Sequence, residues 1–185
     1  VDFIALSFVR NGQEIQDLKK YLKKHKSRIE VIAKVESYEA TQHLESVIEA
    51  SDGVMVARGD LGAEVPFSHV PRLQREMIDI AGRLHKPVIV ATHMLESMIK
   101  NPMPTRAEVT DIATAVWQRS DAVMLSGETA GGEHPIRSVE AMAEIAVETE
   151  KNYLSTRPYR KIPVTSDHGK FCKMAAGLAE DDNDV

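Results

Sequence analysis

The sequence predicts an α/β protein built on a parallel sheet, and three observations carry that reading. Short apolar runs alternate with longer stretches of helical periodicity, the pattern of successive βα units. The runs are apolar almost throughout instead of strictly alternating, which favours strands covered on both faces over an open antiparallel sheet. Pro71, Pro104 and Pro135 stand near the starts of helical stretches, where a missing backbone donor costs little.

Taken in order, the predicted strands are residues 3–8, 31–35, 53–57, 87–92 and 122–126. Between the first two, Ile15, Leu18 and Leu22 form one side of a helix and Lys19, Lys20 and Lys23 the other, so the segment is amphipathic. The lysine-rich run 19–28 reads as a solvated helix end and loop. Further helices are expected at 37–50, 71–84, 106–118 and 135–149. Met94, Leu95 and Met98 read as packing residues of a short helix, with Glu96 and Lys100 in solvent.

Strand repeats of this length each fit one βα unit, so the expected fold is an incomplete (β/α)8 barrel, of the TIM type, with about five βα units and a disordered C-terminal tail. The alternative is an open, doubly wound five-strand sheet. That fold would normally show a glycine-rich phosphate turn after its first strand, and Asn11-Gly12 is not one. The expected organisation is a barrel domain over residues 1–157 and a tail over 158–185, with Pro163, Gly169, Gly177 and an acidic end from Glu180 to Asp184.

A formal charge of −5, with no basic stripe interleaved with aromatics, argues against a nucleic-acid partner. No apolar stretch approaches the roughly 20 residues needed to span a bilayer, so no membrane partner is expected. The single cysteine, Cys172, reads as an incidental thiol in a reducing compartment.

Function in a parallel barrel collects at the carboxyl ends of the strands, and here those ends are polar. The second strand closes on Lys34-Val35-Glu36, and the two-residue alternation of a strand puts Lys34 and Glu36 on one face. The third closes on Arg58-Gly59-Asp60-Leu61-Gly62, where the glycines let the backbone approach a ligand and offer N–H groups to an anion. Glu36 and Asp60 suit Mg²⁺ as hard oxygen ligands, and Lys34 suits a phosphoryl or enolate oxygen. A structural ion-pair network among the three is the competing reading. Two carboxylates beside one lysine leave net negative charge, which argues for a metal.

Thr92 closes the fourth strand and could donate to a substrate carboxylate, although a threonine there is also ordinary strand chemistry. His93 reads as a rim residue, not a catalytic base. The fifth strand runs into Ser126-Gly127-Glu128-Thr129-Ala130-Gly131-Gly132, a turn of the kind that contacts phosphate. Arg58 and Ser126 are candidate supporting residues.

With those residues in place the chain closely resembles pyruvate kinase, from Val1 to about Glu150. The resemblance rests on Val31-Ile32-Ala33-Lys34-Val35-Glu36-Ser37, on Ser51-Asp52-Gly53 and Met55 through Gly62, and on Ala91-Thr92 with Met94-Leu95-Glu96-Ser97-Met98. Pro104-Thr105-Arg106-Ala107-Glu108 and Met124-Leu125-Ser126-Gly127-Glu128-Thr129-Ala130 complete it.

The resemblance implies phosphoryl transfer from phosphoenolpyruvate to ADP, giving pyruvate and ATP in glycolysis, with Mg²⁺ (or Mn²⁺) and usually K⁺ required. It implies that Glu36 and Asp60 ligate the divalent metal and that Lys34 is the catalytic residue, stabilising the phosphoryl group and enolate. Gly59, Asp60 and Thr92 would hold the substrate carboxylate. The family's remaining barrel strands, its lid domain and its K⁺ ligands are expected upstream of Val1. His93 stands where many members carry glutamine, and Ser120 where alanine or glycine is frequent.

The chain alone is therefore expected to be an inactive, truncated barrel. Two alternatives stay open: a non-catalytic fragment pairing with full-length subunits of this usually homo-oligomeric family, or another Mg-enolate barrel enzyme such as an aldolase or lyase. A cytoplasmic location is expected. The plastid stroma is the alternative, because residues 1–10 and 59–66 resemble plant plastid isoenzymes.

Overall fold

A computed structural model describes residues Val1 to Leu154. The expected tail, its boundary after residue 157 and Cys172 lie outside the described residues. Residue contacts divide the chain into Val1–Glu150 and Lys151–Val185, and the first of these units carries the sheet.

The chain opens with β1 (Phe3–Leu6) and α1 (Gly12–Lys24). Asn11 caps α1, its side chain accepting the N–H groups of Gln13 and Glu14, while Glu14 in the first turn and Lys23 and Lys24 in the last complement the helix dipole. After β2 (Glu30–Val35), the helix expected over 37–50 forms as two pieces, α2 (Tyr38–Thr41) and α3 (Leu44–Ala50). The break falls at His43, whose φ of −132° is non-helical; Ala40 on one piece and Leu44, Val47 and Ile48 on the other are all buried.

Next come β3 (Gly53–Ala57), α4 (Arg58–Glu64), α5 (Val70–Arg83) and β4 (Val88–Ala91). The segment expected as a glycine loop after β3 is thus helical from its first residue. A 3-10 turn at Glu96–Ile99 stands where a short helix was expected. It leads to α6 (Arg106–Trp117), where Thr105 and Glu108 form a reciprocal capping box. The sheet closes with β5 (Ala122–Met124), followed by α7 (Gly127–Ala130) and α8 (Pro135–Leu154).

All five strands are parallel and lie in the order β1-β2-β3-β4-β5. A doubly wound sheet reverses its strand order at a switch point; this one progresses in sequence order, as barrel strands do. Strands β1, β4 and β5 stop earlier than the apolar runs suggested. Phe8 and Thr92 take left-handed backbone, with φ of 51° and 70°, and turn the chain out of the ladder.

One face of the sheet is packed against the helices. Val31, Ala33 and Val35 of β2, Val54 and Val56 of β3, and Val88 and Val90 of β4 join Ile15, Val47, Ile48, Leu73 and Met77 in a single buried cluster. Each fully buried aliphatic side chain of this kind stabilises the fold by about 1.5–3 kcal/mol. Helices α1 and α3 touch so closely that a Cβ on Gly12 would come 2.4 Å from the Ser46 carbonyl oxygen. The opposite face carries Lys34, Met55 and Ile89 in one register row. It is open toward the edges, where Phe3, Ala5 and Ala122 are exposed.

Candidate active site

At the carboxyl ends of the strands, Lys34 projects from β2 beside Glu36. Its Nζ lies 2.6 Å from Glu36 Oε1 and donates to Ser7 Oγ at 3.0 Å. Ser7 follows the end of β1 and, by the β1–β2 register, stands level with Lys34. Sequence reasoning missed Ser7, although it shares the odd-numbered face of β1 with Ala5.

Glu36 is 1% exposed. Its Oε2 accepts the Phe8 N–H at 2.7 Å, and Ser37 Oγ donates to the Val9 carbonyl at 3.0 Å, so the turn after β1 is tied to the end of β2. Oε1 is ion-paired with the Lys34 ammonium at 2.6 Å, so the buried charge is compensated within the protein.

Asp60 sits exposed in the first turn of α4, directly beyond β3, the strand paired with β2. Glu36 and Asp60 are hard oxygen donors of the kind that hold a divalent metal. Among the described residues no group of three or more His, Cys, Asp or Glu side chains converges. A cation here would therefore take its other ligands from water or substrate, which is how Mg²⁺ is commonly held.

Thr92 and His93 both have left-handed backbone, with φ of 70° and 54°. For non-glycine residues such conformations cost about 1–3 kcal/mol each and need surrounding structure to hold them. The Thr92 hydroxyl accepts the Gly59 N–H at 2.7 Å and donates to the Ala91 carbonyl at 2.6 Å. The Gly59 N–H, expected to face an anion, is engaged by this hydroxyl oxygen. His93 is exposed at the rim.

Arg58 turns away from the mouth. Its guanidinium donates twice to the Thr92 carbonyl, at 2.8 and 3.2 Å, and pairs with Asp111 of α6 at 2.7 Å. Ser126 is held through its N–H, which donates to Glu128 Oε2 at 2.8 Å, while Glu128 Oε1 accepts the Leu95 N–H at 3.0 Å. Glu128 is 1% exposed and Met94, Leu95 and Met98 are fully buried, so the β4 turn is fixed from β5 as well. Sequence reasoning gave Asp111 and Glu128 no role; Arg58, the partner of Asp111, and Leu95, one of the two partners of Glu128, lie far away in the chain.

A cleft of about 560 Å³ opens elsewhere, lined by residues of α2, α3 and α5 that include Leu44, Arg72, Arg75 and Arg83. None of its lining comes from a strand end. Its arginines are paired with Glu76, Asp79 and Glu45, which leaves little positive charge for a ligand.

A family model described as "Pyruvate kinase, barrel domain" matches residues 1–139. Pyruvate kinase isozyme G, chloroplastic, from Ricinus communis is 55% identical over 152 residues, covering 82% of this chain and 36% of the relative. A pyruvate kinase from Thermotoga maritima is 50% identical over 151 residues, covering 82% of this chain and 32% of that protein. The crystal structure of a pyruvate kinase from Cryptosporidium parvum aligns with a TM-score of 0.80 at 41% identity, over 89% of this chain and 36% of that one. The chain thus spans about a third of the length of the relatives it matches. Five parallel strands in sequence order, a matching barrel-domain model and half-identical relatives establish that the chain belongs to the pyruvate kinase family.

Proposed function

We propose that this segment supplies the enolpyruvate side of a site that transfers phosphate from phosphoenolpyruvate to ADP. The observation that carries the reading is the Lys34–Glu36 pair at the strand ends, an ammonium 2.6 Å from a buried carboxylate oxygen. In the reaction the bond between phosphorus and the enol oxygen breaks, a bond to the terminal oxygen of ADP forms, and the enolate takes a proton at carbon to become pyruvate. Such chemistry asks the protein for position and positive charge more than for covalent participation.

Lys34 faces the transferring phosphoryl group and the enolate oxygen, where a compact ammonium stabilises the charge that develops. Glu36 and Asp60 would hold Mg²⁺ or Mn²⁺, whose charge, when bound, offsets that of the same oxygens. A substrate carboxylate takes the Asp60 N–H and the Thr92 hydroxyl, whose oxygen is held by the Gly59 N–H at 2.7 Å. Arg58 and Ser126 support the turns around them.

Phosphoenolpyruvate, ADP, ATP and pyruvate are accordingly the proposed partners, with K⁺ as a second cation and a homo-oligomer as the assembly. The plastid stroma is favoured over the cytoplasm by the chloroplastic name of the Ricinus relative. No helix of the described residues is long and apolar enough to cross a membrane.

The test is pyruvate formation in a complete barrel carrying this segment. Lys34→Ala should lower kcat by roughly 10²–10³-fold or more, the loss expected for one preorganised charge-stabilising group. Unchanged turnover would refute the assignment, and turnover without ADP would point to an aldolase or lyase.

A further inference from the structure

Thr92 raises a problem that its own sequence does not solve. A β-branched residue is held in left-handed backbone, followed at once by a second left-handed residue, His93, in a turn with no glycine. Something outside the turn must hold it, and the side chain in contact with the Thr92 backbone is Arg58.

The guanidinium lies between three parts of the fold, the turn after β4, α6 and α5. Nε and Nη2 both donate to the Thr92 carbonyl oxygen, at 3.2 and 2.8 Å, and Nη2 also contacts Met94 Sδ at 2.8 Å. Nη1 reaches both carboxylate oxygens of Asp111, at 2.8 and 2.7 Å, and lies 3.4 Å from Gln74 Oε1. Gln74, 3% exposed, in turn donates to Gln118 at 2.8 Å. The Arg58 side chain is 10% exposed, so its charge is compensated inside the protein by Asp111 and by these polar oxygens.

We propose that Arg58 is a positioning residue: aimed by Asp111, it grips the Thr92 carbonyl and fixes the left-handed turn that presents the Thr92 hydroxyl to the Gly59 N–H. Arg58 and Gly59 are consecutive, so one step of chain contacts both ends of Thr92, its carbonyl through the side chain and its hydroxyl through the backbone. A lysine could carry the charge but not the planar fork that serves the carbonyl and the carboxylate together. The functional meaning of this clamp rests on the reading of Thr92 as a substrate contact; the clamp itself does not.

Amide hydrogen exchange on the full chain tests it. Arg58→Lys should speed exchange of the Gly59 amide by tenfold or more while the Val54 and Val90 amides, in the strand core, and the melting midpoint hold. Asp111→Asn, a milder change at a part-exposed helix residue, should move the Gly59 amide in the same direction, and it serves where Arg58→Lys does not fold. An unchanged Gly59 amide overturns the proposal. So does parallel acceleration at Gly59, Val54 and Val90 with a lowered midpoint, which marks Arg58 as a general stabiliser.

In the assembled enzyme the same variants should raise KM for phosphoenolpyruvate tenfold or more and leave KM for ADP within about twofold. A loosened Gly59 amide with an unchanged KM for phosphoenolpyruvate would support the clamp and refute the substrate reading of Thr92. The two failures are thereby told apart.

Discussion

Glu108 gathers more hydrogen bonds than its place on an outer helix would suggest. Its carboxylate accepts the Ser97 N–H and hydroxyl at 2.7 and 2.6 Å and the Thr105 N–H and hydroxyl at 2.7 and 2.8 Å, closing the loop between the 3-10 turn and α6. Burial pushes this carboxyl up, but the bonds from Ser97 and Thr105 together outweigh it and hold the group below its ordinary value. Because the folded value lies below the unfolded one, the stabilisation is complete above about pH 4.3 and is lost as pH falls through the folded value. Glu108→Gln should cost about 1–2 kcal/mol at pH 7, since the carboxylate is only part-buried and solvent screens it. Thermal melts of the two proteins should converge as pH drops below about 4; a constant gap would contradict this account. At this scale the sequence was readable where one strand's alternation sufficed, as for Lys34 and Glu36. It was opaque where a role depends on turn conformation or on distant partners: nothing local to Arg58 points to Asp111 or to the Thr92 carbonyl, and Ser7 acquires its partner only through strand register.

The elements repeat a device at the opposite end of the sheet. Ser51-Asp52 precedes β3 and Ser120-Asp121 precedes β5. In each case the aspartate carboxylate accepts an N–H from the neighbouring strand, Val31 at 2.9 Å and Val88 at 2.8 Å, while its own N–H donates to the carbonyl of the same residue. The serine hydroxyls cap the preceding helices, donating to Ile48 and Ala115. Register between β2 and β3 and between β4 and β5 is therefore set by side chains as well as by the ladder. Asp121→Ala should leave the Val88 N–H without its acceptor and lower stability by about 1–3 kcal/mol, read as a reduced denaturant midpoint with the same slope. A midpoint within error of the wild type would remove the device from the account. The strands and long helices were legible because apolar runs and helical periodicity are local signals. The break at His43 and the helix beginning at Arg58 were not, because both answer to packing between elements.

For the whole molecule, exposure follows position in the described sheet: Phe3 is 54% exposed on β1, and Ala5 and Ala122 are exposed on β1 and β5, while β3 between them is buried throughout. The barrel character was legible from the regular βα alternation, and the sequence order of the strands agrees with it. The expectation of a parallel sheet with covered strands, in place of an open antiparallel one, agrees with the five parallel strands and is plainest at β3, which is buried throughout. Glu36 and Asp60, beside Lys34, are the proposed divalent-metal site at the strand ends. Electron paramagnetic resonance of Mn²⁺ titrated into the protein tests it most directly: one site should fill, and Glu36→Gln or Asp60→Asn should each weaken it by at least tenfold. Equal Mn²⁺ binding by the wild type and both variants would contradict the account.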